Sequence, residues 1–318
     1  MNFQARHSKG TKSTYKSAQK HYFHFCRLYN LDPLIFTQQK IRDFIAYKDC
    51  LNNGLGPDAM RTHRYAVRAI AQSIGIELNV SDQAMPLLAS DIAGKRRLQP
   101  RGMNASKAID IAILLPMFQH LSRNDYNSQV YRALLSINHD MIKRASETTL
   151  TPNVGHAPQI KQLSWNQASS LPLPAEPQSL TYHYNIGKTN IDRKLKSATV
   201  ICNCHTGICG MHELHLLLRW RQNLTNEDHI FVLWPKVIMT SALLGEQLKK
   251  LARKIGVDPH FYGKAHGLRK GGAQDQVEQD IPALLITNQA DWASIRSMKP
   301  YFQNISEQRK IAIYKKHQ

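Results

Sequence analysis

The chain has 318 residues, enough for two domains of ordinary size that each bury a core of their own. Its 42 lysines and arginines outnumber 23 aspartates and glutamates, a formal charge of +19 that gathers polyanions, so nucleic acid is the first partner to expect. No window approaches the apolar run of a membrane span and the first residues lack a signal-peptide core, which argues against membrane and secreted classes and for a soluble intracellular protein.

The charge is carried by both halves: 15 basic against 7 acidic side chains in residues 1–100, and 27 against 16 in residues 101–318. The five cysteines, Cys26, Cys50, Cys202, Cys204 and Cys209, form an odd set with three clustered. That is a poor disulfide framework, and reduced thiols are expected.

From Ser13 the apolar residues Tyr15, Ala18, Tyr22, Phe25, Cys26 and Tyr29 fall on one helical face. Asp32-Pro33 breaks that helix, Thr37 offers an N-cap, and Ile41, Phe44, Ile45 and Leu51 continue the pattern in a second. After the Gly54-Leu55-Gly56-Pro57 loop a third helix runs from about Asp58 to Gly75, with Met60, Val67, Ile70 and Ile74 inward. Arg61, Arg64 and Arg68 recur at helical spacing and are expected on its exposed side, a cationic face for phosphates. Residues 80–103 lose periodicity and carry Pro86, Gly94, the basic run Lys95-Arg96-Arg97, Pro100 and Gly102, as a linker with DNA-binding charge would. The boundary is set near residue 100, giving a helical domain over 1–100 and a second domain over 101–318.

Beyond it helices are expected to about Glu147, followed by a Pro-rich segment that is not helical (Pro152, Pro158, Pro172, Pro174, Pro177). Leu180 to Ile186 and Ser197 to Cys202, around Gly187, read as a small hairpin, and helices resume near His212. The cluster Cys202, Cys204, His205, Cys209, His212 and His215 holds zinc-type ligands, but the spacing matches no common zinc module. The expectation is no metal, only incidental thiols at a hairpin edge and a helix start.

Two stretches carry chemistry. Arg144-Ala-Ser-Glu147 lies beside an apolar run, and His266-Gly-Leu-Arg269-Lys-Gly-Gly is followed by Trp292, 26 residues after His266, and Tyr301, nine further on. This order and spacing resemble the catalytic domain of a tyrosine recombinase. Ile186-Gly187-Lys188-Thr189-Asn190 is similar to the family's lysine-bearing hairpin turn, with Lys194 and Lys196 as rivals, and the N-terminal helices resemble its core-binding domain. The 15 residues between Glu147 and Leu163 exceed the connection in compact bacterial members and resemble the eukaryotic crypton and DIRS-like mobile-element groups.

The resemblance implies a mainly α fold with a small β-sheet: a helical core-binding domain, then an α+β catalytic domain. It implies cleavage and rejoining of double-stranded DNA through a 3′-phosphotyrosyl bond to Tyr301, without metal, cofactor or ATP. The residue types suit that chemistry. A phosphodiester resists attack until positive charge surrounds its non-bridging oxygens, and Arg144 and Arg269 keep their charge and can bind bidentately. His266 can donate to the phosphate or accept the tyrosine proton, the Trp292 indole can only donate, and Lys188 can protonate the leaving 5′ oxygen. Glu147, too short to help at the phosphate and repelled by it, is expected to orient Arg144 or His266.

Residues 306–318 read as a basic helical tail, which in the resembling family docks on a neighbouring protomer, so a homo-oligomer on DNA, dimer to tetramer, is expected. A topoisomerase with the same constellation and a non-catalytic DNA-binding regulator are the competing readings. The expected location is the nucleus in a eukaryote and the cytoplasm otherwise.

Overall fold

The computed structural model describes residues 9–51, 54–98, 106–150, 156–184, 195–292, 294 and 298. The chain divides into two compact units, residues 1–104 and 105–318.

The first unit is helical: α1 (Lys9–Leu28), α2 (Gln38–Leu51), α3 (Pro57–Ser73) and α4 (Pro86–Leu98). Its core is the set of residues that the helical periodicity brings to one side, with Tyr22, Phe25 and Cys26 from α1 meeting Ile41, Phe44 and Ile45 from α2 and Val67 and Ile70 from α3. The rings of Tyr22 and Phe44 meet edge to face at 5.3 Å. Thr37 caps α2, its Oγ1 accepting from the amide of Lys40 at 3.2 Å. Pro57 occupies the first turn of α3, where its missing N–H costs nothing.

Two expectations about this unit are corrected. Residues 86–98 form a helix, not linker: Pro86 starts α4, and Leu88 and Ile92 enter the core four residues apart. The run Lys95-Arg96-Arg97 is its last turn, where cations complement the helix dipole. The arginines of α3 are not one exposed face either. Arg64 is only 2% exposed, its Nη1 lying 2.7 Å from Asp82 and its guanidinium 5.2 Å from the ring of Tyr65. Arg61 and Arg68 are half-buried. A long aliphatic stem lets an arginine lie along apolar surface when a carboxylate from another segment meets its head.

In the second unit, α5 (Ile111–Gln119) and α6 (Tyr126–Asp140) are capped by Asp110 and Asp125, each accepting from an amide three residues on. A short helix α7 (Ala145–Thr148) follows. Strands β1 (Leu163–Trp165), β2 (Ser179–Tyr184) and β3 (Lys196–Ile201) form an antiparallel sheet in that order. The β2–β3 pair is the hairpin expected from the alternation, with Leu180, Tyr182 and Tyr184 turned inward. Next come α8 (Gly210–Arg219), the two-residue strands β4 (Val232–Leu233) and β5 (Val237–Ile238), α9 (Ser241–Lys254), α10 (Pro259–Tyr262), α11 (His266–Glu278) and α12 (Ala283–Gln289).

Helix α6 runs through the middle, with eleven of its fifteen residues buried, polar ones included. Buried polar groups must be paired. Arg132 forks onto Glu213 of α8, Nε to Oε2 at 3.0 Å and Nη2 to Oε1 at 2.6 Å, and Gln129 donates to the same carboxylate at 2.9 Å. Burial would raise the Glu213 carboxyl, but these donors outweigh it and hold it below the usual range.

Candidate active site

The site grows from the end of α6. Ile142, fully buried, takes φ +53°, a left-handed conformation that costs a β-branched residue on the order of 1–3 kcal/mol. That turn brings Lys143 inward and places Arg144 at the N-cap of α7. There Glu147 closes on Arg144 twice: Oε2 accepts from the Arg144 amide at 3.0 Å and Oε1 from its Nη1 at 2.7 Å. Glu147 is fully buried, while the Arg144 side chain keeps 24% of its surface exposed. The Arg-x-x-Glu spacing thus works as a cap reaching back onto its own arginine. Tyr182 of β2 fastens α7 from the sheet side, donating to the Glu147 carbonyl at 2.8 Å.

Arg269 comes from α11 and is also fully buried. Its Nη1 donates to the Ile142 carbonyl at 2.7 Å, its Nη2 to the Ala290 carbonyl at 2.5 Å, and Nη1 lies 4.0 Å from Glu147 Oε2. The guanidinium sits 5.2 Å from the ring of Trp292, a cation–π distance. Trp292 also packs beside Ile142, Ala273, Ile286, Ala290 and Met298, a small apolar cluster of its own. His266 opens α11. Burial, then the charges of Lys270, Arg269 and Arg144, lower its pKa to about 4, so its imidazole is neutral at pH 7.

Helix α11 reaches this position because glycines let it. A methyl group on Gly271 would strike the carbonyl of Ile109, and one on Gly272 the carbonyl of His139. Backbone therefore packs on backbone along this face, and the Gly271-Gly272 pair reads as close packing. Ile109 donates its amide to the Gly267 carbonyl at 2.9 Å. Beneath lies His139 of α6, its Nδ1 2.9 Å from Asp140 and its Nε2 2.8 Å from Asp275 of α11. Burial alone would lower the pKa of His139, but the two carboxylates raise it to about 9. Asp275 also accepts from the Ile111 amide at 2.7 Å, and Asp140 from the Gly210 amide at 2.7 Å, so one network ties α5, α6, α8 and α11.

Lys143 is the group that sequence reasoning missed. It is fully buried, its Nζ 2.6 Å from the Tyr184 hydroxyl, 2.9 Å from the Gln289 carbonyl and 4.0 Å from the Tyr184 ring centroid. Burial dominates its titration, modulated by Glu147, Arg269, Asp291 and Arg144, and brings its pKa to about 7. A lysine beside an arginine reads as exposed, and the partners that hold Lys143 inside, Tyr184 and Gln289, lie 41 and 146 residues away. Lys196, one of the rival lysines, pairs with Asp291 directly before Trp292.

The structure thus brings Arg144, Glu147, His266, Arg269 and Trp292 to one place. Lys188, Lys194 and Tyr301 lie outside the described residues, as does the 306–318 tail. Of the basic side chains expected to meet DNA in the first unit, Lys95 pairs with Asp49 at 2.8 Å and Arg96 with Asp58 at 3.3 Å, while Arg97 is exposed. No helix among the described residues is long and apolar enough to cross a membrane.

No protein-family model and no curated protein matches the chain. Solved structures do. The XerH site-specific recombinase, in a post-cleavage complex with palindromic difH substrate, is similar at a TM-score of 0.59 and 16% identity over 92% of this chain and 74% of that one. The Tn1549 transposon integrase, in complex with transposon right-end DNA, is similar at a TM-score of 0.59 and 12% identity over 98% of this chain and 95% of that one. A lambda integrase dimer bound to a core site is similar at a TM-score of 0.56 and 11% identity over 95% and 91%. At these identities the likeness concerns the backbone, and the chain has the mainly helical, small-sheet fold of the tyrosine recombinases and integrases.

Proposed function

We propose that the chain is a site-specific DNA strand transferase, a recombinase or integrase of the tyrosine type, that cleaves and rejoins double-stranded DNA through a 3′-phosphotyrosyl bond to Tyr301. The observation that carries this reading is the convergence of Arg144 and Arg269, 125 residues apart in sequence, on the buried Glu147 carboxylate, with the Trp292 ring against the Arg269 guanidinium and His266 within reach of the charge of both arginines. Arg144, the more accessible of the two arginines, meets the phosphate first. Arg269 stands behind it, adding charge where water is excluded, so that oxyanion charge developing in the transition state is stabilised. Neutral His266 can accept the phenolic proton as Tyr301 attacks, and Lys188 delivers the proton that the 5′ oxygen needs. Rejoining reverses these steps, since the phosphotyrosyl bond conserves the energy of the phosphodiester.

The 15-residue connection between Glu147 and Leu163 supports placement among the crypton- or DIRS-like mobile-element enzymes, acting in a nucleus. Assembly is as a homo-oligomer on DNA through the C-terminal tail, and deleting residues 306–318 should weaken it; unchanged assembly would count against this. Covalent trapping tests the chemistry. With nicked suicide duplexes carrying the ends of its element, wild type should form an SDS-resistant adduct and Tyr301→Phe none, while Arg144→Ala should slow adduct formation by roughly 100- to 1,000-fold. An adduct that survives Tyr301→Phe would remove Tyr301 as nucleophile. Arg269 gives both terminal nitrogens to main-chain carbonyls, which favours a second reading: a recombinase-derived DNA-binding regulator. Site-specific binding with no adduct in wild type would select it.

A further inference from the structure

The β3–α8 connection holds a group of side chains that the proposed chemistry does not use. Cys202 follows the last residue of β3, Cys204 lies in a short 3-10 turn, Cys209 is the N-cap of α8 and His212 stands in that helix's first turn. Their ligand atoms all lie within 4.8 Å of one another. One imidazole nitrogen faces all three sulfurs: His212 Nδ1 is 3.1 Å from Cys204 Sγ, 3.2 Å from Cys209 Sγ and 3.9 Å from Cys202 Sγ. We propose that Cys202, Cys204, Cys209 and His212 bind one structural zinc ion in a tetrahedral Cys3His site.

Geometry is the first argument. Zinc bonds of about 2.3 Å to sulfur and about 2.0 Å to nitrogen put neighbouring ligand atoms roughly 3.5–3.8 Å apart in a tetrahedron. The three sulfur–nitrogen separations bracket that interval, and Cys202 and Cys204 are exposed, so their side chains can turn to close the sulfurs, which lie within 4.8 Å of one another, onto an ion. The surroundings are the second. The backbone amides of Asn203 and His212 hydrogen-bond to the Cys209 sulfur, and that of Cys204 to the Cys202 sulfur. Such donors hold thiolate ligands in place, and the N-terminal end of α8 adds a favourable partial positive charge. Donor chemistry is the third: three soft thiolates and an imidazole select zinc over magnesium or calcium.

The ligand spacing, one residue, then four, then two, matches no common module, which is why the sequence suggested incidental thiols. The 3-10 turn supplies what spacing could not convey. Gly207, at φ +83°, reverses the chain so that Cys209 returns toward Cys202 and Cys204. An ion here would fasten the end of β3 to the start of α8, whose first amide is held by Asp140 of the network beneath α11. All four ligands being present in one short connection, the site is closed and structural, with no position left for substrate.

The test uses the full chain, purified under reducing conditions without chelator and without a histidine tag or metal resin. Elemental analysis should find about one zinc per chain, and the cobalt-exchanged protein should show the intense visible bands and sulfur-to-metal charge transfer of tetrahedral thiolate coordination. Cys209→Ser and His212→Ala should each lose most of the metal and change the cobalt spectrum, and a strong chelator should lower the melting temperature of wild type. If these variants do not fold, the wild-type cobalt spectrum alone decides. A folded, reduced chain that takes up no zinc from excess, a weak octahedral cobalt spectrum, or a metal content unchanged by the substitutions would overturn the proposal. These readouts involve no DNA, so they stand or fall apart from the role of Tyr301.

Discussion

The two units use charge in opposite ways. In the first, charged side chains mostly meet singly at the margin of an apolar core: Arg42 with Asp91 at 2.7 Å, Lys95 with Asp49 at 2.8 Å, Arg96 with Asp58 at 3.3 Å, each partly open to water. In the second, Arg132, Lys143, Glu147, His139, Glu213, Arg269 and Asp275 lie inside, linked to carbonyls and to one another. A marginal pair is screened and worth little, whereas an internal charge makes every partner indispensable. The second unit therefore builds its buried charge on a framework that tolerates little loss.

The largest effect should come from breaking that framework outright. Glu213→Ala leaves Arg132 buried without a countercharge, keeping the Phe118 and Leu121 carbonyls, and urea unfolding should show a loss of roughly 3–5 kcal/mol. A loss below 1 kcal/mol would show that Arg132 escapes to water. Next, Gly271→Ala should cost about 3 kcal/mol, because the new methyl meets rigid backbone at Ile109. A neutral result there would show that α11 can lift away.

The third experiment uses pH. His139 titrates near 9 in the folded protein against about 6.5 unfolded. Its contribution is therefore complete below pH ~6.5 and lost as pH rises through about 9, on the order of 3 kcal/mol at most. Melting temperatures measured from pH 6 to 10 should fall more steeply in wild type than in His139→Phe, and parallel curves would contradict the assignment. The smallest effect belongs to the first unit: Arg96→Ala should change stability by less than about 1 kcal/mol. A larger loss would erase the contrast between the units.

How much of this could be read in advance depends on the range of the interaction. Local patterns were legible: the face of α1 that buries Ala18, Tyr22, Phe25 and Cys26, the Thr37 cap, and the alternation of β2 against β3. Order and spacing named Arg144, Glu147, His266, Arg269 and Trp292 by resemblance, but not their meeting in space, which depends on contacts such as Arg269 with Ile142 and Ala290 across 127 and 21 residues. What failed depended on partners elsewhere in the chain. Asp82 draws Arg64 inward from 18 residues away, and Tyr184 and Gln289 receive Lys143 across 41 and 146 residues. Helix α4 was hidden by a short sequence with Gly94 in it, which only docking against the core turns into a helix.

The glycines of α11 carry one more consequence, for the order in which the molecule comes together. Three of its thirteen residues are glycine, each lowering intrinsic helicity by about 1 kcal/mol relative to alanine, so the isolated segment would be mostly coil. It becomes helical only when seated against Ile109 and His139. His266 and Arg269 therefore gain their places late, with the docking of the whole unit, and a nascent or partly unfolded chain would not yet hold Arg269 against the Ile142 and Ala290 carbonyls.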